Sequence, residues 1–270
     1  MGATASGGVR IGLVLSAGGL RGVAHLGVMR RLAHAGIAFD VVVGVSAGAI
    51  FAAYYAGCGL TIDDIISEAP TFKGQHLVMH GLTMRAPQVW RPFMRRFCGV
   101  VPQRLAQMEA GRFDRLHHGV SCLGIVCHDA VTNAPVYFSS LDCEGIRMSD
   151  VARASAAIPY MMPARVLQHR DRMVKLVDGG LSDPLPVAFA RDVLGATHII
   201  ASDCCKRTPG VPSDPHVVHI RPALEGMATM RRPAGTLMET MHRGEQAVTD
   251  EMIQRIQAWR HDEARLTVGA

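Results

Sequence analysis

The sequence predicts an α/β fold: a mostly parallel sheet covered by helices on both faces. Three observations carry this. Short runs of β-branched and aliphatic residues occur at 9–16, 39–43, 120–126 and 173–177, and strands that read as unbroken apolar runs are those buried on both faces. Between the first two lies a glycine turn and a segment with apolar residues at helical spacing; a strand, helix, strand alternation requires crossover connections and so parallel strands. The 270 residues are 49% hydrophobic, enough for a sizeable core.

In chain order, residues 9–16 read as a buried strand, 17–22 as a glycine-rich turn, and the next segment as an amphipathic helix carrying Val23, Leu26, Val28 and Leu32. Gly36 stops that helix, 39–43 form the second strand, and 47–55 read as a helix of small residues. From 70 to 115 the pattern breaks. Pro, Gly, Met and Arg interleave there, with Lys73, Arg85, Arg91, Arg95, Arg96, Arg104, Arg112 and Arg115 set among Trp90, Phe93, Met94 and Phe97. That stretch reads either as a cap over the sheet or as a substrate entrance, its apolar side chains suiting an acyl chain and its arginines a phosphate. Strand patterns return at 120–126 and 135–138, a short helix at 150–157, and a strand at 173–177 that runs into Asp178. Residues 197–202 and 217–220 read as later strands of the same sheet, followed by one terminal helix over about 236–260. A single domain is expected over 1–270, with its motif-bearing core at about 9–222, because no repeat or linker divides the chain.

Composition narrows the setting. The chain has 28 Lys and Arg against 23 Asp and Glu, a modest basic excess that fits either an anionic partner or a solvated basic surface. Seven cysteines without a CxxC spacing argue against a zinc site or a disulfide framework and for a reducing compartment. Residues 1–8 lack the features of a signal peptide, and no apolar run reaches membrane-spanning length, so a cytoplasmic protein is expected. Residues 1–6 fit the loose myristoylation pattern, which a small polar segment matches easily by chance.

Gly44-Val45-Ser46-Ala47-Gly48 lies between a strand and a helix, the context a GxSxG nucleophile elbow requires. Small residues are needed on either side of such a sharp turn, and Gly44, Ala47 and Gly48 meet that need. The turn would set Ser46 at the carboxyl end of the sheet, beside a helix N-terminus that favours developing negative charge. The loop from Ser16 to the first helix contains Gly18, Gly19, Arg21 and Gly22; its amides should face the same edge and bind an anion, with Arg21 adding charge or bracing the loop. A dinucleotide fingerprint is the rival, because Ala17, Gly19 and Gly22 approximate its spacing, but Asp40 opens the second strand where a ribose-binding acid should close it. A Walker motif is missing its Lys-Ser or Lys-Thr pair.

Ser46 needs a base. Asp178, followed by Gly179 and Gly180, is the candidate, because the glycines let the backbone turn away and leave the carboxylate at the sheet edge. His198, His216, His219 and His242 follow it, so a Ser, Asp, His order stays open; none sits in a recognisable loop, and a Ser-Asp dyad is the more economical reading.

The glycine and arginine loop, the elbow and the Asp-Gly-Gly turn, in that order, resemble the patatin-like phospholipase family. The Ala and Ser-rich segment 154–159, ending in Pro159, also resembles a family segment. The likeness runs from 9 to about 186 and departs at Ala17, where the family usually has glycine, and at Asp183-Pro184. It implies a three-layer α/β/α fold and a Ser46-Asp178 dyad without histidine. Gly18, Gly19, Arg21 and Gly22 would form the oxyanion loop, and the reaction would be hydrolysis of acyl esters in lipids without metal or cofactor. The partners expected are a lipid ester and, peripherally, an anionic membrane surface, not nucleic acid. A transacylase with the same residues, or a silent lipid-binding module, are the alternatives.

Overall fold

The computed structural model describes residues 8–67, 74–142, 144–207, 210, 211, 213–226 and 234–268. The myristoylation pattern and Lys73 lie outside them. Strand β1 (Ile11–Leu15) leads through a short helical turn, Gly19–Val23, into α1 (Ala24–His34). Gly36, at φ +72°, ends that helix in the left-handed region that favours glycine. Strand β2 (Val41–Val45) passes directly into α2 (Ala47–Ala52), which widens to a π-helical turn at Ala53–Gly57 before α3 (Ile62–Ser67). The irregular stretch is helical: α4 (Gly74–Arg85), α5 (Arg91–Met94) and α6 (Val101–Gln107). A hairpin of β3 (Cys122–Asp129) and β4 (Ala134–Ser139) follows, then α7 (Met148–Ser155) and a second hairpin of β5 (Arg165–His169) and β6 (Arg172–Asp178). Strands β7 (His198–Ser202) and β8 (Val217–Ile220) precede α8 (Ala234–Gln246) and α9 (Asp250–Val268).

The strands form one sheet in the order β5-β6-β3-β2-β1-β7-β8, with β4 also paired to β3. Strands β3, β2, β1, β7 and β8 are parallel, as the alternation predicts. Three further pairings, β3 with β4, β3 with β6 and β5 with β6, are antiparallel. On β3, one edge carries β4 from Gly124 to Asp129. The other edge is shared: β2 pairs with it up to Val126, and β6 pairs from Cys127 onward. Thus β2 and β6 run toward each other along one strand and end on adjacent residues, Val45 opposite Val126 and Asp178 opposite Cys127.

Alternate residues of the buried strands serve two cores. Leu13, Leu15, Val42, Leu123 and Ile125 pack with α1, α2, α7, α8 and α9 on one face. Val14, Val41, Val43, Val45 and Val126 pack on the other against Leu185, Phe189, Ala190 and Leu194. The α/β/α layering is therefore asymmetric, with a thick helical layer and a thin one built around the π-helical turn Phe189–Val193. Helices α1 and α8 approach so closely that a side chain on Gly27 would strike the Met241 carbonyl and one on Gly244 the Ala24 carbonyl. No helix among the described residues is long and apolar enough to cross a membrane.

Two expectations need correction. The single terminal helix is two, broken at 247–249, where Thr249 Oγ1 accepts the Met252 amide at 3.2 Å and restarts the helix as an N-cap. Strand β5 was not expected; four of its five residues are exposed or half-exposed, so its apolar signal is weak.

Candidate active site

The end of β2 delivers Ser46 in a conformation rarely adopted by a residue with a side chain, φ +55° and ψ −119°. Its surroundings fix it there. A side chain on Gly44 would collide with the Gly48 carbonyl, and one on Gly48 with the Leu15 carbonyl, so the turn closes only because both are glycine. The Ser46 amide donates to Ser155 Oγ at 2.8 Å, and Ser155 Oγ donates in turn to the Val126 carbonyl at 2.6 Å. The strained turn is thereby tied through α7 to β3.

Across the junction of β2 and β6, Asp178 Oδ2 accepts the Ser46 hydroxyl at 2.6 Å. Its other oxygen accepts the Gly180 amide at 2.9 Å, which fixes the carboxylate plane. The Asp178 amide donates to the Ala157 carbonyl at 3.0 Å. Burial raises the Asp178 pKa to about 6, against the opposing pull of the Ser46 hydroxyl and the Gly180 amide. The segment that resembles the family's Ala and Ser-rich stretch thus holds both partners, Ser46 through Ser155 and Asp178 through Ala157. Spacing alone gave no sign of the Ser155 role, since 109 residues separate it from Ser46.

The glycine loop lies against the elbow, with Gly22 packed so tightly on Ala47 that a side chain there would come within 2.6 Å of the Ala47 Cβ. Gly19 is left-handed at φ +56°. The amides of Gly18 and Gly19 precede the first internal bond of the turn, from Arg21 N to Gly18 O at 3.2 Å. The Ala17 amide is committed to the Pro184 carbonyl at 2.9 Å. Arg21, expected within the oxyanion loop, has its guanidinium elsewhere: it is buried and donates to the Cys205 carbonyl at 3.1 Å, bracing the loop against the chain that leaves β7. A buried histidine supports the same region. His25 Nε2 donates to the Ser16 carbonyl at 3.0 Å and Nδ1 accepts from Ser202 Oγ at 2.7 Å, while burial lowers its pKa to about 4 and keeps it neutral.

The four histidines that left a triad open are engaged away from the pair. His198 packs at a tilt against Trp259, His216 lies beside Asp214, His219 beside Asp203, and His242 beside Glu245. The Ser46 and Asp178 side chains bond instead to each other and to the Gly180 amide. A cavity of about 440 Å³ opens at Ser46, within the range of small-molecule sites. Leu20, Val23, Ile50, Phe51 and Tyr54 line its apolar side, and Gly19 and Ala157 border it near the serine. His80, Arg95, Arg153 and Arg165 supply polar wall. Sequence reasoning missed His80; burial, then the nearby Arg153, Arg95 and Arg165, lower its pKa.

Residues 13–191, which hold the loop, the elbow and the aspartate turn, match the family described as patatin-like phospholipase. The chain belongs to this family. Within it, an uncharacterized NTE family protein of Mycobacterium tuberculosis is 30% identical over 189 residues, 66% of this chain and 28% of the relative. The lysophospholipase NTE1 of Coccidioides immitis is 49% identical over 49 residues, 18% of this chain and 3% of the relative. This patatin-like chain therefore spans less than a third of either relative. Among solved structures, VipD from Legionella pneumophila superposes with a TM-score of 0.54 at 12% identity, covering 92% of this chain and 67% of that one. At that identity the likeness establishes a shared fold.

Proposed function

We propose that the protein hydrolyses acyl esters of lipids through an acyl-enzyme on Ser46, with Asp178 as its base. The observation that carries this reading is the 2.6 Å bond from Ser46 Oγ to a buried carboxylate, at a serine that opens on a largely apolar cavity. Asp178 Oδ2 takes the hydroxyl proton as Oγ attacks the ester carbonyl. The tetrahedral oxyanion is held by the amides of Gly18 and Gly19, each such donor contributing on the order of 3 kcal/mol to the transition state. Collapse releases the alcohol, which receives its proton from Asp178. Water, deprotonated by the same carboxylate, then attacks the acyl-enzyme, frees the acid and restores Ser46. The acyl chain lies against Leu20, Val23, Ile50 and Phe51, and the substrate is drawn from an anionic lipid surface.

A fluorophosphonate probe tests the assignment. Peptide mass spectrometry should place the adduct on Ser46, with none in Ser46→Ala and a strongly slowed reaction in Asp178→Asn. A folded protein that stays unlabelled would favour a silent lipid-binding module; full labelling of Asp178→Asn would remove the base. Acyl transfer to an added alcohol in place of water would identify a transacylase at the same site.

A further inference from the structure

The stretch that roofs the cavity has an outer face unlike the rest of the molecule. From Gly74 to Met108 the sequence contains five arginines and no Asp or Glu. Arg85, Arg91, Arg95 and Arg96 have no carboxylate partner among the described residues, whereas most arginines elsewhere in the fold are paired, as Arg147 is with Asp150 and Arg172 with Asp129. Arg91 turns onto carbonyls of its own segment, Ala86 and Met84, and Arg96 lies 5.9 Å from the centre of the Phe93 ring.

Between these cations stand Val89, Trp90, Phe93 and Phe97, exposed by 79%, 59%, 54% and 51%, when side chains of this size are normally buried. Phe93 and Phe97 meet edge to face, with centroids 5.7 Å apart, so they form one ridge. Tyr160, exposed by 93%, precedes Met161, whose carbonyl lies against Gly81 of α4. Aromatic residues interleaved with unpaired arginines fit the interfacial zone of a bilayer, the rings among acyl chains and the guanidiniums at the phosphates. The same stretch also contributes Leu77, Met84 and the exposed Arg95 to the cavity wall.

We propose that this outer face, centred on Trp90, Phe93 and Phe97, docks the protein on the surface of an anionic lipid bilayer and sets the cavity mouth at the membrane. The choice of a lipid surface over a protein partner rests on the lipid-hydrolase reading and on the one-signed charge of the stretch. Docking itself is measured without turnover.

The test is flotation of the purified chain with vesicles of phosphatidylcholine alone or mixed equally with phosphatidylglycerol. Binding is expected to the mixed vesicles and to weaken with salt, with a blue shift of Trp90 emission; the other tryptophan, Trp259, is already buried. Trp90→Ser combined with Phe93→Ser and Phe97→Ser should lower vesicle affinity about tenfold or more, and Arg85→Gln with Arg96→Gln should flatten the salt dependence. The aromatic variant should cleave a water-soluble short-chain ester at the wild-type rate and lose activity only on vesicles. Ser46→Ala should float as the wild type does, so a failed hydrolase assignment leaves the docking result intact. Wild-type protein that ignores the mixed vesicles, an aromatic variant that binds equally well, or a concentration-dependent dimer that the variant abolishes would each overturn the proposal.

Discussion

The amide of Ser46 and the hydroxyl of Ser155 are 2.8 Å apart, and through that hydroxyl the most strained residue of the site is bonded to the Val126 carbonyl of the sheet. Ser155→Ala leaves a buried amide and a buried carbonyl without their partner, at a cost of about 1–3 kcal/mol each before relaxation. The expected outcome is a lower melting temperature together with a fall in kcat that exceeds any change in KM, because the elbow loses its tether and the cavity keeps its walls. A variant with normal kcat would show that the strain of Ser46 is held by the backbone alone.

In the proposed mechanism the buried carboxylate sets the pH dependence. Asp178 must be ionised to accept the Ser46 proton, and its pKa is about 6. The acid limb of kcat/KM for a soluble ester should therefore be half-maximal near pH 6 and lie well above the ordinary carboxylate range. A limb centred near pH 4 would mean that substrate-free Asp178 is better solvated than its burial implies.

Asp178→Asn should separate stability from activity. Holding a carboxylate whose folded pKa is raised from 3.8 to about 6 costs about 3 kcal/mol once it is ionised, at about 1.4 kcal/mol per unit. The sign follows from the raised value: wild-type stability from this group is intact below about pH 4 and is lost as pH rises through 6. The amide escapes that cost, so the variant should gain melting temperature over the wild type at pH 8 and lose the advantage by pH 4, while its turnover falls by about 10²–10⁴. Thermal melts across this range give the difference directly.

Acyl-chain preference should follow the apolar wall. Ile50 lines the cavity from α2, the helix that leaves Ser46, and Ile50→Trp shortens the space available to a chain. The ratio of kcat/KM for long over short p-nitrophenyl esters should fall about tenfold or more, in line with about 1–3 kcal/mol for each misplaced methylene. An unchanged ratio would place the acyl chain elsewhere.

The strands other than β5, the elbow and the aspartate turn were legible because each depends on local composition: runs such as Val41-Val42-Val43 bury on both faces, and Gly44 and Gly48 are required where the backbone closes. What was not legible depends on contacts between distant segments. The side chain of Arg21 turns to Cys205, and Ser155 reaches Ser46 over 109 residues; neither partner leaves a periodic trace. The break between α8 and α9 was readable in principle, because Thr249 with Asp250 and Glu251 after it forms an N-terminal signature. The helices of the arginine-rich stretch escaped because α4 lacks a well-defined apolar stripe and α5 and α6 are shorter than a typical helix.

Because β2 and β6 abut along one edge of β3, ending on Val126 and Cys127, the proposed Ser46–Asp178 pair also acts as a gauge of chain alignment. Strand side chains alternate in direction with every residue. One residue inserted between Leu176 and Asp178 would turn the carboxylate to the opposite face of the sheet with little change in hydrophobic content. The protein could then keep its secondary structure and be wholly inert, and restored turnover in refolded material would report strand alignment to a single residue, which circular dichroism cannot see.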